Sequence, residues 1–155
     1  MRPTGTGSVC FRGAEGTGFA TALSEVEELM SLGGNRVARS TDSFGYTWLT
    51  STTTPDDMSG LVTALHAANS TLRDAGFGPS LLCSLIALQG QVNGQDRRLG
   101  LVYLYKRGTF YPFAPTGPDL RDNAFELQVR AMLKSELPME EDISRWFPVW
   151  GAPGL

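Results

Sequence analysis

His66 is the one histidine of the chain, and Cys10 and Cys83 are its two cysteines, so any imidazole or thiol chemistry must run through these three side chains. One imidazole and two thiols are too few soft donors for an ordinary structural zinc site, and two cysteines make no disulfide framework. His66 neighbours Val62 and Asn69 on the flank of an apolar helical stripe, with no local carboxylate to orient its ring. It reads as a partly exposed structural residue. Cys10 and Cys83 each fall in a strand-like run and read as small buried hydrophobes. A Cys–His dyad would need the fold to bring them together.

Gly13-Ala-Glu-Gly16-Thr-Gly18 lies between a predicted strand and a predicted helix, the place of a phosphate-binding loop. Gly13 and Gly18 have the Walker spacing, but Phe19 and Ala20 follow where Lys and Ser or Thr would hold phosphate and metal. As a dinucleotide fingerprint it puts Thr21 where a third small residue belongs. The segment reads as a connector. Asp56-Asp57 and Glu140-Glu141-Asp142 carry enough carboxylates for magnesium or calcium, yet their place at helix starts makes capping the better account. Asn69-Ser70-Thr71 matches the glycosylation sequon but sits inside a helix and reads as silent. No metal site, cofactor or catalytic constellation emerges, and a non-enzymatic role is expected.

The remaining chemistry is aromatic. Lys106 and Arg107 adjoin Phe110, Tyr111 and Phe113, a mixture that single-stranded nucleic-acid surfaces also use. Two cations in a chain of net charge −3 are a poor match for a polyanion, so packing comes first and a protein surface second. Residues 143–155 hold Trp146, Phe147 and Trp150 with Pro148 and Pro153, where most domains fray into polar disorder. Each such ring takes ~150–250 Å² out of water when buried. So much exposed aromatic area would invite aggregation, so the tail is expected to dock on its own domain. Phe110, Tyr111, Phe113, Trp146, Phe147 and Trp150, with Lys106 and Arg107, are the candidate partner-binding residues.

The elements that must position these residues follow from periodicity. Ser8–Arg12 predicts a strand, and Phe19, Leu23, Val26 and Met30 predict a helix over Phe19–Leu32, closed by Gly33-Gly34. Val37–Asp42 and Tyr46–Thr52 predict a hairpin about Ser43-Phe-Gly45. Thr54 as cap, Pro55 at the first helical position and Asp56-Asp57 in the first turn announce the next helix. Its stripe is Met58, Leu61, Leu65, Ala68, Leu72 and Ala75, and Gly76 ends it. Leu81–Tyr105 predicts a long hairpin turning at Asn93-Gly94. That turn sets Leu88 opposite Leu99, Ile86 opposite Leu101 and Ser84 opposite Tyr103, with Leu81, Cys83, Leu85, Ala87, Val102 and Leu104 on the other face. Both faces are apolar, so the pair should be central with something packed on each side. Pro112 makes Thr109–Phe113 a sheet edge or its irregular continuation. A third helix is predicted over about Asp122–Leu137, with Phe125, Val129, Met132 and Leu133 apolar, stopped by Pro138.

The order β-α-β-β-α-β-β-β-α is that of an α+β domain with an antiparallel-rich sheet. At 155 residues and 41% hydrophobic content, one domain with one core is expected over 1–155. The longest apolar runs fall far short of the ~20 residues of a membrane helix, and no hydrophobic run follows Met1-Arg-Pro-Thr-Gly. A cytoplasmic protein without a membrane span is the expectation.

Asp74-Ala-Gly-Phe-Gly78, Leu81-Leu-Cys-Ser-Leu85, Leu101 through Pro115, Arg121-Asp-Asn123 and Ser144-Arg-Trp-Phe-Pro-Val-Trp-Gly-Ala-Pro153 together resemble an actinobacterial family. That family is the PspA-associated proteins of the PspAB type, linked to the phage-shock envelope-stress system. The resemblance runs over nearly the whole chain. It implies association with PspA, a peripheral membrane protein of coiled-coil type, and no enzymatic residues. It also implies a further N-terminal segment with an amphipathic helix in family members, ahead of a start such as Met1. The strand order, with helices flanking a curved antiparallel sheet, further resembles the type III secretion chaperone and YbjN-like fold.

Two readings follow. In the first, a regulatory protein of the stress response binds a protein partner through an apolar groove or edge. In the second, a small-molecule-binding protein or enzyme gathers Tyr103, Tyr105, Arg107, Cys83 or His66 around a pocket. A homodimer through the sheet is a further expectation.

Overall fold

The computed structural model describes residues 1–13 and 16–155. Six strands form one sheet: β1 (Arg2–Arg12), β2 (Arg36–Thr41), β3 (Tyr46–Thr52), β4 (Leu81–Val92), β5 (Gln95–Leu104) and β6 (Thr109–Phe113). Their spatial order is β2-β3-β1-β4-β5-β6, and every neighbouring pair is antiparallel. A small hairpin, β7 (Pro115–Gly117) with β8 (Leu120–Arg121), follows β6. The helices are α1 (Thr17–Met30), α2 (Met58–Leu72) and α3 (Asn123–Leu133). The protein is thus of the α+β class, with β4 and β5 inside the sheet and β6 at its edge.

The β4–β5 register is the one that Asn93-Gly94 demands. Asn93 (φ 53°) and Gly94 (φ 76°) both take the left-handed conformation of a two-residue hairpin turn. Leu88 then opposes Leu99, Ile86 opposes Leu101 and Ser84 opposes Tyr103. One expectation fails at the start of β4. Cys10 of β1 opposes Cys83, but the next residue, Phe11, opposes Leu81, so Leu82 is the extra residue of a bulge. The bulge moves Leu81 to the face opposite Cys83, where it packs with Phe11, Phe19 and Leu72.

The two faces of the sheet are covered differently. On the first, Phe19, Ala22, Leu23, Val26 and Met30 of α1 and Leu65, Ala68 and Leu72 of α2 meet Val9, Phe11, Leu49 and Leu81. On the second, Cys10, Trp48, Cys83, Leu85, Ala87, Val102, Tyr111 and Phe113 form a cluster to which α1 and α2 contribute none of the described residues. Trp146 and Ala152 of the C-terminal segment complete that cluster, with Val149, Trp150 and Leu155 packed against it. Packing on both faces and a tail docked on its own domain were both expected; which face the tail covers emerges only from the fold. Gly154 (φ 86°) runs so close that a side-chain Cβ there would lie 2.9 Å from the Ala87 Cβ.

Helix starts and stops differ from the sequence reading in detail. Asp57, not Thr54, caps α2, accepting from the Gly60 amide (3.0 Å), while the Thr54 carbonyl closes the preceding turn with the Asp57 amide. Pro55 and Asp56 therefore precede the helix. After Leu72 a wide helical turn over Arg73–Phe77 ends through Gly76 at φ 93°, as expected of that glycine; Ala75 is exposed and off the stripe. Asp122 caps α3 through the Phe125 amide (3.0 Å), and the helix ends at Leu133. Its buried arc is centred on Glu126 and Val129, so Met132 falls outside it and is 71% exposed.

Candidate functional site

On the second face, the sheet and the C-terminal segment leave a cavity of about 750 Å³ between them. Cys10, Leu82, Cys83, Leu104 and Tyr111 lie on its sheet side. The β2–β3 turn and β3 contribute Asp42, Phe44, Tyr46 and Trp48, and the C-terminal segment contributes Phe147, Pro148, Val149 and Trp150. Arg12 and Asp119 complete the lining. The groove is therefore mainly apolar and aromatic, with few charges.

Asp42 builds the turn side. Its Oδ1 accepts from the Phe44 and Tyr46 amides (2.9 and 3.0 Å), and its Oδ2 accepts from Trp48 Nε1 (3.0 Å). That local capping leaves Phe44 at the tip of the turn, 61% exposed.

The C-terminal side is built by buried polar contacts. The Tyr111 hydroxyl donates to the Phe147 carbonyl (2.7 Å), and burial pushes its phenol above the ordinary tyrosine range. Trp146 Nε1 donates to the Glu140 carbonyl (3.0 Å), and its ring stacks on Tyr111 with centroids 6.1 Å apart. Arg121 is the clamp. Its Nε lies 3.0 and 2.9 Å from the two carboxylate oxygens of Glu126, its Nη1 donates to the Trp146 carbonyl (2.9 Å), and its guanidinium sits 4.8 Å from the Phe113 ring centroid. Glu126, 1% exposed, also accepts from the Ala114 amide (2.8 Å). A buried carboxylate needs all of these partners, which fixes Arg121 and through it the path of the chain at Trp146.

The eight candidate residues do not form one surface. Tyr111, Phe113 and Trp146 are buried and hold the C-terminal segment down. Phe110 points to the opposite face and packs on Tyr103 (centroids 4.9 Å). Trp150 is half-buried edge-on to Phe113 (5.0 Å) and lines the groove, while Phe147, 60% exposed, stands at its lip. The two cations are committed within the chain: Lys106 Nζ donates to the Pro79 carbonyl (3.0 Å), and Arg107 pairs with Glu140. Glu140 is thus an ion-pair partner and not a helix cap, although Asp142 does cap a short turn through Ser144 (3.1 Å). Arg107, with further hydrogen bonds from the Asp142 amide and Thr109, holds the Glu140 carboxyl down at about 2.

Of the five residues that a ligand pocket would gather, only Cys83 lines this cavity. Tyr105 packs against the α1–α2 core, and His66 is exposed on α2 with Ser70 Oγ 3.5 Å away. Asn69 of the sequon is buried, its amide donating to Ser84 Oγ (2.8 Å). Ala14 and Glu15 of the glycine-rich segment lie outside the described residues. Sequence reasoning missed Phe44, Tyr46 and Trp48; the usable signal was an apolar aromatic, Phe44, in a turn that should be polar. Arg121 and Glu126 carried no such signal, because i,i+5 spacing marks no motif.

Among the described residues, no group of three or more His, Cys, Asp or Glu is placed to hold a metal ion. None of the helices there is long and apolar enough to cross a membrane. Neither comparison with curated proteins nor comparison with solved structures gives a match. The family model for PspAB, PspA associated protein B, matches residues 1–154, and the chain belongs to that family.

Proposed function

We propose that the protein is a non-enzymatic binding partner of PspA in the bacterial envelope-stress response, and that the groove receives an apolar stripe of a PspA-type coiled coil. The observation that carries this reading is the pair Phe44 and Phe147, 61% and 60% exposed, both lining one aromatic-walled cavity. Large exposed rings flanking a concave apolar surface suit a helix laid in a groove, with anchors at i, i+3 or i+4 and i+7. Family membership supports the choice of partner. The test is the affinity of purified PspA for wild type and for Phe44→Ala/Phe147→Ala, measured by calorimetry. A loss of roughly tenfold or more, at unchanged melting temperature, is expected, since a hot-spot ring is worth more than ~1 kcal/mol. Unchanged affinity would remove the groove from the interface.

A second reading is favoured by the cavity volume. About 750 Å³ lies within the ~300–1,000 Å³ of small-molecule sites. A thermal-shift screen across nucleotides, metabolites and apolar ligands would favour it if one raised the melting temperature by several degrees.

A further inference from the structure

Cys10 and Cys83 are both free and occupy opposed positions on adjacent antiparallel strands, β1 and β4. Both face the second side of the sheet, where they share a cluster with Trp48 and Tyr111. Directly opposed residues on such strands have Cα atoms ~4.5–5.5 Å apart, within the ~4.4–6.8 Å that a disulfide spans. Both side chains also line the groove, so the pair is reachable from one open cavity. Cys10 is the more covered of the two, at 2% exposure against 7% for Cys83. Hydrogen bonding to the Cys83 side chain, and then burial, hold the Cys10 thiol above its ordinary range. The bulge at Leu82 adjoins Cys83 and locally disrupts the strand ladder there.

We propose that Cys10 and Cys83 are a redox-active dithiol, oxidised to an intramolecular disulfide by a small organic disulfide that enters the groove. Cys83, the more exposed sulfur, gives its proton to water and attacks one sulfur of R–S–S–R. That S–S bond breaks, a Cys83–S–S–R bond forms, and R–S⁻ leaves and takes up a proton. Cys10 then gives up its proton and attacks the Cys83 sulfur, and the second R–S⁻ departs and is protonated. The protein loses two hydrogens and two electrons, and R–S–S–R is reduced to two thiols. Excess dithiol reverses the same exchange, which suits a reversible site.

The inference does not depend on PspA binding. Folded wild-type protein is treated with bis(2-hydroxyethyl) disulfide, then denatured, alkylated and weighed intact. The expected result is loss of both free thiols with a mass lower by two hydrogens, no adduct, an unchanged monomer fraction and full reversal by dithiothreitol. Cys10→Ser should instead keep one hydroxyethylthio adduct, on Cys83, and Cys83→Ser should resist modification. Two intact thiols in the folded wild type, a persistent adduct on it, or cross-linked pairs of chains would each overturn the proposal. An adduct on Cys10 in Cys83→Ser would also overturn it, because Cys83 must attack first. If either variant fails to fold, the wild-type mass alone decides.

Discussion

Trp146→Ala tests whether the C-terminal segment is part of the fold or an appendage. Trp146 is 5% exposed, stacks on Tyr111 and lies under Arg130, whose guanidinium is 5.5 Å from its ring. Truncation forfeits most of a ring burial of ~150–250 Å² and leaves a cavity on the second face, a change that typically costs ~3–5 kcal/mol. The Glu140 carbonyl loses its indole donor as well, at a cost of ~1 kcal/mol unless water replaces it. The lower sum, ~3 kcal/mol, applies if the segment relaxes into the space and water replaces the donor; the upper, ~6 kcal/mol, applies if Arg121 and Tyr111 keep it in place and the carbonyl stays dry. For a chain of this length that is a melting-temperature drop of roughly 6–24 °C. Urea unfolding followed by far-UV circular dichroism gives the free energy, and Phe147→Ala, one residue on but 60% exposed, is the internal control. The control should stay within ~0.5 kcal/mol of wild type. A Trp146→Ala variant as stable as its control would refute a docked segment, because a ring 5% exposed in a packed cluster cannot be worth so little.

Arg121→Met should be nearly as damaging, at ~3–5 kcal/mol by the same urea assay, because it strands the Glu126 carboxylate in the interior with only the Ala114 amide. A loss below ~1 kcal/mol would mean that water reaches Glu126. The Glu140 carboxyl sits at about 2 against 4.5 for the free group, so its folded form binds the proton less readily than its unfolded form. Its contribution is fully present above about 4.5 and is lost as pH falls through that value toward about 2. Melting temperature should therefore fall more steeply over that window in wild type than in Glu140→Gln, and parallel curves would count against the Arg107–Glu140 pair.

Where a local rule governs, the structure follows the residues. Asn93-Gly94 sets a two-residue turn, and with it ten cross-strand pairs, because side-chain period and turn type leave no other register. Pro112 marks the edge strand, and the spacing of Phe19, Leu23, Val26 and Met30 marks the buried face of α1. The departures come from contacts distant in sequence. The Leu82 bulge depends on how β1 meets β4, and a one-residue slip moves Leu81 across the sheet. Met132 is apolar at helical spacing, yet the buried Glu126–Arg121 pair decides which way α3 faces. The groove itself joins segments far apart in sequence, among them β1, the β2–β3 turn, the start of β4 and the C-terminal end. Of its lining, Phe147, Trp150 and Tyr111 stood among the partner-binding candidates and Cys83 among the ligand-pocket ones; the aromatic density shows in the sequence, whereas the turn's partnership with it does not.

In the proposed binding role, the exposed rings of the groove recognise the partner and the buried ones hold the fold. The most direct test is a calorimetric titration of purified PspA into wild type and into Phe44→Ala/Phe147→Ala, with thermal melts of both. The account predicts binding to wild type and at least roughly tenfold weaker binding to the variant, with the two melts superimposed. Equal affinities for the two proteins, or no binding to either, would contradict it.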